Sequence, residues 1–288
     1  MFNTNVNVKP TVGTKNNKNL NYIKLGIIFL LSISTIMMRI NIPMLDGAKY
    51  IFFISLAAFA WIHGSQRYGL KNMIIWFVIT WIVSNCFEGL SVKTGFPFGH
   101  YHYTTPGPRI LDVPAYIMIA YFGIAYTSWT ITQALTRHFS KKIVGVQKII
   151  IPITTAIIMT MWDIVTDPQA STIHQTWIWE NGGDYFGVPI SNFVGWVFVV
   201  YVFMQIFTLF ISTKNLDISK NNVTSKKTYW LEAAIVYLIM GLGVVLEGIT
   251  HTDHIEIYGC MAMMSVFTVV FVSYISLLNI KNSKELND

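Results

Sequence analysis

Charge is what this 288-residue chain has least of: 12% of its residues are charged, while 53% are hydrophobic. Ordinary soluble domains carry roughly 25% charged residues, so the composition excludes a conventional water-soluble fold and points to a polytopic membrane protein. Cysteine is almost absent. Cys86 and Cys260 are the only two, both in apolar segments without CxxC or His spacing; they read as buried structural thiols, and no disulfide framework is implied. No Gly-rich phosphate loop, GxSxG elbow or Rossmann fingerprint occurs, which leaves nucleotide and serine-hydrolase chemistry without support. The net charge of +6 does not form one patch interleaved with aromatics. Lys and Arg divide between loops, as positive-inside topology requires, and no nucleic-acid partner is expected.

Long apolar runs are what is present. A helix needs about 20 residues to span a bilayer, and eight segments qualify or nearly so: Leu20–Met38, Ala48–His63, Leu70–Glu88, Val113–Leu135, Val146–Thr166, Pro189–Ile211, Tyr229–Glu247 and Tyr258–Ile280. The expected fold class is therefore all-α, a helical membrane bundle over residues 20–280. A disordered polar tail at 1–19 and a short C-terminal tail at 281–288 flank it. The first span has lysines ahead of it but no small-residue cleavage site after it, only Arg39-Ile40-Asn41-Ile42-Pro43, so it reads as a retained anchor. One set of loops holds Arg67, Lys71, Arg137, Lys141, Lys142, Lys148, Lys214, Lys220, Lys226 and Lys227; the other holds only Arg39, Lys49, Lys93 and Arg109. That bias places both termini in the cytoplasm and makes this a multi-pass protein of the cell membrane.

The acids are concentrated where they are expensive. Glu88, Asp163, Asp167 and Glu247 all fall at the ends of apolar segments, toward one side. A carboxylate in hydrocarbon costs roughly 2.5–3.5 kcal/mol on insertion scales, so such residues read first as parts of a functional cavity. Asp163 and Asp167 are four apart and share a helix face; Pro168 then ends or kinks the helix. Two adjacent carboxyls in low dielectric cannot both ionise cheaply, so one keeps its proton, as a general acid requires. Asn85 and Glu88 share a face of the third span. Asn192, near the start of the sixth, and Glu247, at the end of the seventh, approach from the same side. Each alone is equally well read as an interhelical polar clasp; four groups at one depth favour a shared site.

Histidine and aromatic residues crowd the same side. His100, His102, His251 and His254 with the carboxylates suggest a metal cage, but their spacing matches no ligand signature, so no metal is assigned. Trp162, Trp177, Trp179, Tyr185, Phe186, Phe193 and Trp196 gather around one outer loop, and Phe96, Phe98, Tyr101 and Tyr103 around another. Such rings line a slot for a flat polyene, stabilise a cation by roughly 2 kcal/mol when desolvated, or form an interfacial belt. The two loops also echo each other: Thr94-Gly95-Phe96-Pro97-Phe98-Gly99 with Val113-Pro114 opening the fourth span, and Gly182-Gly183-Asp184-Tyr185-Phe186-Gly187 with Val188-Pro189 opening the sixth. Proline suits a first helical position, and an internal duplication is one reading of the echo.

The run Asn85-x-x-Glu88, Thr94-Gly95-Phe96-Pro97-Phe98-Gly99-x-Tyr101-x-Tyr103, Trp162-Asp163-x-x-x-Asp167-Pro168 resembles the CruF-type carotenoid hydratase family. So does Trp177-x-Trp179-x-x-Gly182-Gly183-x-Tyr185-Phe186-Gly187-Val188-Pro189-x-x-Asn192-Phe193-x-Gly195-Trp196. These are integral membrane proteins of carotenoid biosynthesis that include the bisanhydrobacterioruberin hydratases of halophilic archaea. The resemblance covers about Trp61 to Phe271. It implies addition of water to the terminal C=C of an acyclic carotenoid end group to give a tertiary alcohol, with no redox cofactor. On that implication Asp163 or Asp167 supplies the proton; Trp162, Trp196 and Tyr101 stabilise the cation; Asn85, Glu88 and Asn192 hold the water or take its proton. Glu247 completes the polar set, and Tyr103, Phe96, Phe98, Tyr185 and Phe186 contact the polyene. Expected partners are the carotenoid, water, membrane lipid and other enzymes of carotenoid synthesis.

Three other classes fit parts of the pattern. A carotenoid or lipid carrier, or an assembly partner, would use the same aromatic slot without needing the aspartates. A metal-dependent oxygenase or desaturase would be built on the histidines. A proton-coupled transporter would need acids throughout the membrane depth, whereas these collect at one end.

Overall fold

The computed structural model describes residues 12–40, 47–216 and 223–287. The tail expected at 1–19 lies outside the described residues as far as residue 11, as do Asn41–Pro43 and Lys220. Eight helices dominate: α1 (Val12–Arg39), α2 (Ala48–Tyr68), α3 (Leu70–Thr94), α4 (Ala115–Leu135), α5 (Gln147–Ile173), α6 (Ile190–Thr213), α7 (Lys227–Thr250) and α8 (Ile255–Lys281). The fold is an all-α membrane bundle. Several helices run past their expected ends, α2 and α3 among them. α2 runs through Gly64, which packs against Met73 and Tyr126, to Tyr68; α3 continues to Thr94, where Gly95 takes a left-handed φ of 80° and donates its N–H to the Ser91 carbonyl. Asn85 and Glu88 therefore lie inside α3 rather than at its end.

Among the described residues seven helices are long and apolar enough to cross a membrane, and α4 is not one of them. Its Tyr116, Tyr121, Tyr126, Thr127, Ser128, Thr130, Thr132 and Gln133 lower its hydropathy. The structure explains this. Most of α4 is buried against α2, α3, α5, α7 and α8, so it faces protein rather than lipid. Its hydroxyls turn inward: Thr127, Thr130 and Thr132 bond carbonyls one turn back, and Thr155 of α5 bonds the Thr132 hydroxyl at 3.0 Å. Below the site an aromatic core forms, with Trp76 stacked on Phe207 at 4.1 Å and Trp129 Nε1 donating to Tyr68 at 2.8 Å.

Pro168 does not end α5. A proline lacks the N–H for the usual bond four residues back, and the chain widens into a π-helical turn at Pro168–Ile173, closed by the His174 N–H on the Gln169 carbonyl at 2.9 Å. Pro114 and Pro189 sit one residue before α4 and α6, in extended conformation, rather than at the first helical position. The cysteines are also corrected: Cys86 is exposed and Cys260 half-buried, both free. In the half opposite Glu88, Asp163, Asp167 and Glu247, Glu232 pairs with Lys24 at 2.6 Å, beside buried His63.

The echoing outer loops are partners. β1 (Tyr101–Tyr103) pairs antiparallel with β4 (Trp177–Trp179), setting Tyr101 opposite Trp179 and Tyr103 opposite Trp177. A second small pair, β2 (Arg109–Ile110) with β3 (Val113–Pro114), leads into α4. Gly195 lets the first loop lie on α6, since a Cβ there would meet the Phe98 ring and the Pro97 carbonyl at under 3.0 Å.

Candidate functional site

A cavity of about 660 Å³ opens where the ends of α1, α3, α5 and α7 meet the starts of α2, α4 and α6, under the β1–β4 sheet. That volume falls within the range of ligand pockets, roughly 300–1,000 Å³. Its polar groups form two poles.

The first pole begins with strand geometry. Side chains alternate along β1, so Tyr101 and Tyr103 point inward while His102 faces out. Both phenols donate to Glu88 Oε2, Tyr103 at 3.0 Å, and Tyr121 of α4 donates to Oε1. Burial first, and the Glu88 charge second, hold the Tyr101 and Tyr103 phenols well above the usual range, so both remain donors. Tyr121 stacks face to face on Trp196 of α6, with centroids 4.8 Å apart. Beside them, one turn of helix brings Asp163 and Asp167 to a common partner. The Asn192 amide nitrogen lies 2.8 Å from Asp163 Oδ2 and 2.6 Å from Asp167 Oδ2, and Trp177 Nε1 donates to Asp167 Oδ1 at 2.9 Å. Asp163, Asp167 and Asn192 are all buried.

The second pole joins α1, α5 and α7. Arg39 Nη1 bonds Glu247 Oε2 and the Gln169 Oε1 at 2.6 Å, all three side chains buried. The guanidinium also lies 5.9 Å from the Trp162 ring centroid. His174 and His251 line this end; burial lowers the His174 pKa, opposed by the nearby Glu247 charge. Between the poles the floor is apolar. Ile117, Ala120, Tyr121 and Ile124 recur at helical spacing on α4, facing Phe53 of α2 and Met38 of α1.

The structure thus gathers Asp163, Asp167, Glu88, Asn192, Glu247, Trp162, Trp196, Tyr101, Tyr103 and Phe98 around one cavity. It does not bring in the others. Asn85 donates to the Ile110 carbonyl at 3.1 Å, tying α3 to β2. Phe96 is exposed and turns toward Phe198; Tyr185 packs with Phe186 and Phe193 away from the cavity. His100 and His102 flank Glu180 at 3.3 and 3.4 Å on the outer face of the sheet. Among the described residues no group of three or more His, Cys, Asp or Glu is placed to hold a metal ion. Sequence reasoning missed Tyr121, Arg39 and Gln169.

Comparison with known proteins follows the same outline. A family model described as "Carotenoid biosynthesis protein" matches residues 47–276. Over 112 residues the chain is 30% identical to the bisanhydrobacterioruberin hydratase of Haloarcula japonica, covering 38% of this chain and 36% of that protein. The match thus spans about a third of that relative's length. No solved structure matches.

Proposed function

The chain belongs to the carotenoid biosynthesis protein family, and from that premise we propose that it adds water to the terminal C=C bond of an acyclic carotenoid end group, giving a tertiary alcohol. The observation that carries this reading is the Asp163–Asn192–Asp167 bridge at the wall of an aromatic and apolar cavity. Hydration of an isolated alkene needs a proton donor, a stabilised tertiary cation and a water molecule. The aspartate pair shares one proton and delivers it to the less substituted alkene carbon, forming the C–H bond. The face of Trp196, stacked on Tyr121, supports the cation. Trp162 is the weaker candidate, because the Arg39 guanidinium already occupies its neighbourhood. Glu88, accepting hydrogen bonds from three phenols, fixes a polar anchor near the reacting end. The apolar stripe on α4 accepts the polyene behind the end group; Ile117 to Ile124 spans about 10 Å at 1.5 Å per residue. The name bisanhydrobacterioruberin hydratase carried by the Haloarcula japonica relative supports the reading.

The test is expression in a host that accumulates acyclic carotenoids, grown in ¹⁸O-labelled water. The expected product is heavier by one or two waters and carries the label; Asp163→Asn and Asp167→Asn each lower its yield at least about a hundredfold, the usual scale for a lost general acid. Unlabelled oxygen in the product would overturn hydration. Pigment transport or binding that survives both substitutions, with no new alcohol, would favour a carrier.

A further inference from the structure

The second pole of the cavity has no role in proton delivery, yet it holds buried donors with no partner. Arg39 Nε and Gln169 Nε2 are both buried without a hydrogen-bond partner among the described residues, on side chains that line the cavity. A buried donor left unpaired costs about 1–3 kcal/mol, so a small turn of these two side chains toward the cavity they line, giving their N–H groups to a ligand oxygen, is favoured. The amide orientation is decided by its neighbour: Gln169 Oε1 accepts from Arg39, which leaves the NH₂ group for something else. An anion is the wrong ligand, because Glu247 already neutralises the guanidinium. A neutral oxygen fits, and the carboxylate of Glu247 in the same pole can accept its proton.

We infer that Arg39, Gln169 and Glu247 bind and deprotonate the water molecule that is added, a role that rests on the hydration reading above. The aspartate pair loses its proton as the C–H bond forms and the alkene becomes a tertiary cation. Water held by Arg39 and Gln169 donates its oxygen lone pair to that carbon, forming the C–O bond. The resulting protonated alcohol is a strong acid, so even an ion-paired carboxylate removes its proton. That proton returns from Glu247 to the aspartates through solvent, and the balance is alkene plus water to alcohol. The division also explains why the two polar ends are separate: a proton donor and the base that ends the reaction do not neutralise one another directly.

The test separates water capture from proton delivery. Purified enzyme and variants Gln169→Met and Glu247→Gln are incubated with an acyclic carotenoid in D₂O, and both the alcohol formed and deuterium in the recovered alkene are measured by mass spectrometry. Each variant is expected to form alcohol about a hundredfold more slowly, the scale of losing one organising donor. Deuterium nevertheless enters the recovered alkene, because the cation still forms and reverts by losing a proton. Carotenoid quenching of tryptophan fluorescence at wild-type level shows that the fold and the slot survive. Alcohol formation at the wild-type rate in both variants overturns the assignment. So does a parallel loss of alcohol and deuterium exchange in a variant that still binds carotenoid. Wild-type enzyme that shows neither hydration nor exchange overturns the hydration reading itself.

Discussion

Each buried acid in this bundle has a particular set of partners, and the partners differ in what they permit. Glu88 accepts three phenolic hydrogen bonds; Asp163 and Asp167 share one amide donor; Glu247 faces a guanidinium. The phenols give a pH test. Tyr101 and Tyr103 keep their protons well above the usual phenol range, whereas an unfolded chain releases them near pH 10. The folded state then binds more protons, so this contribution to stability is full below about pH 10 and declines as pH rises through it. Melting temperature in detergent should fall between about pH 10 and 11, and less steeply in Tyr103→Phe; an unchanged slope would remove the phenol as a cause. The acids were legible in the sequence because a carboxylate in an apolar run stands out on cost alone. Arg39 counted there only as a loop charge, and Gln169 and Tyr121 carry no comparable signal. Asn85, Phe96, Tyr185 and Phe186 show the opposite error: spacing tells which residues share a face, but the neighbour that face meets depends on how helices pack.

Helices and loops set the next level of constraint. α4 falls short of the hydropathy of a span because its surroundings are other helices, so its Tyr, Thr and Ser residues bond within the bundle instead of meeting lipid. Its existence was legible from length and apolar content; its central place was not, since burial on all sides is a property of the assembled bundle. The sheet that roofs the cavity was invisible for a related reason. β1 and β4 are three residues each and lie more than 70 positions apart, and the echo between their loops pointed to duplication rather than pairing. The second loop turns on Gly183, where a Cβ would sit 2.1 Å from the Val188 carbonyl carbon and the Pro189 nitrogen. Backbone cannot give way as a side chain can, so Gly183→Ala should destabilise by about 3 kcal/mol and displace the entry to α6 with Asn192. Gly259→Ala is the matched control, for nothing lies within 4 Å of its added Cβ. Melting curves of the two should separate clearly; equal melting would show that the loop is free to rearrange.

At the scale of the whole molecule, the connections place one set of loops together at the end opposite the cavity. Lys141, after α4, pairs with Glu285 at 2.7 Å; the Lys227 N–H, at the start of α7, donates to the Asn287 carbonyl at 2.8 Å; Arg137 Nε donates to Asn279 at 2.9 Å. The C-terminal segment therefore lies with the loops that carry most of the lysines. The cavity and its roof lie at the far ends of the helices. Cationic loops favour the cytoplasmic side; we propose on that ground that the lysine-rich end lies inside, which would put the proposed hydration at the outer face. Single cysteines test this directly in a Cys86→Ser, Cys260→Ser background. Asp184→Cys, exposed in the roof, should react with a membrane-impermeant maleimide on intact cells, and Lys284→Cys only after lysis. The reverse pattern would put the chemistry at the cytoplasmic face, where water and proton exchange would come from the cell interior. Labelling of both sites from one side would break the three-crossing path through α6, α7 and α8 that separates them.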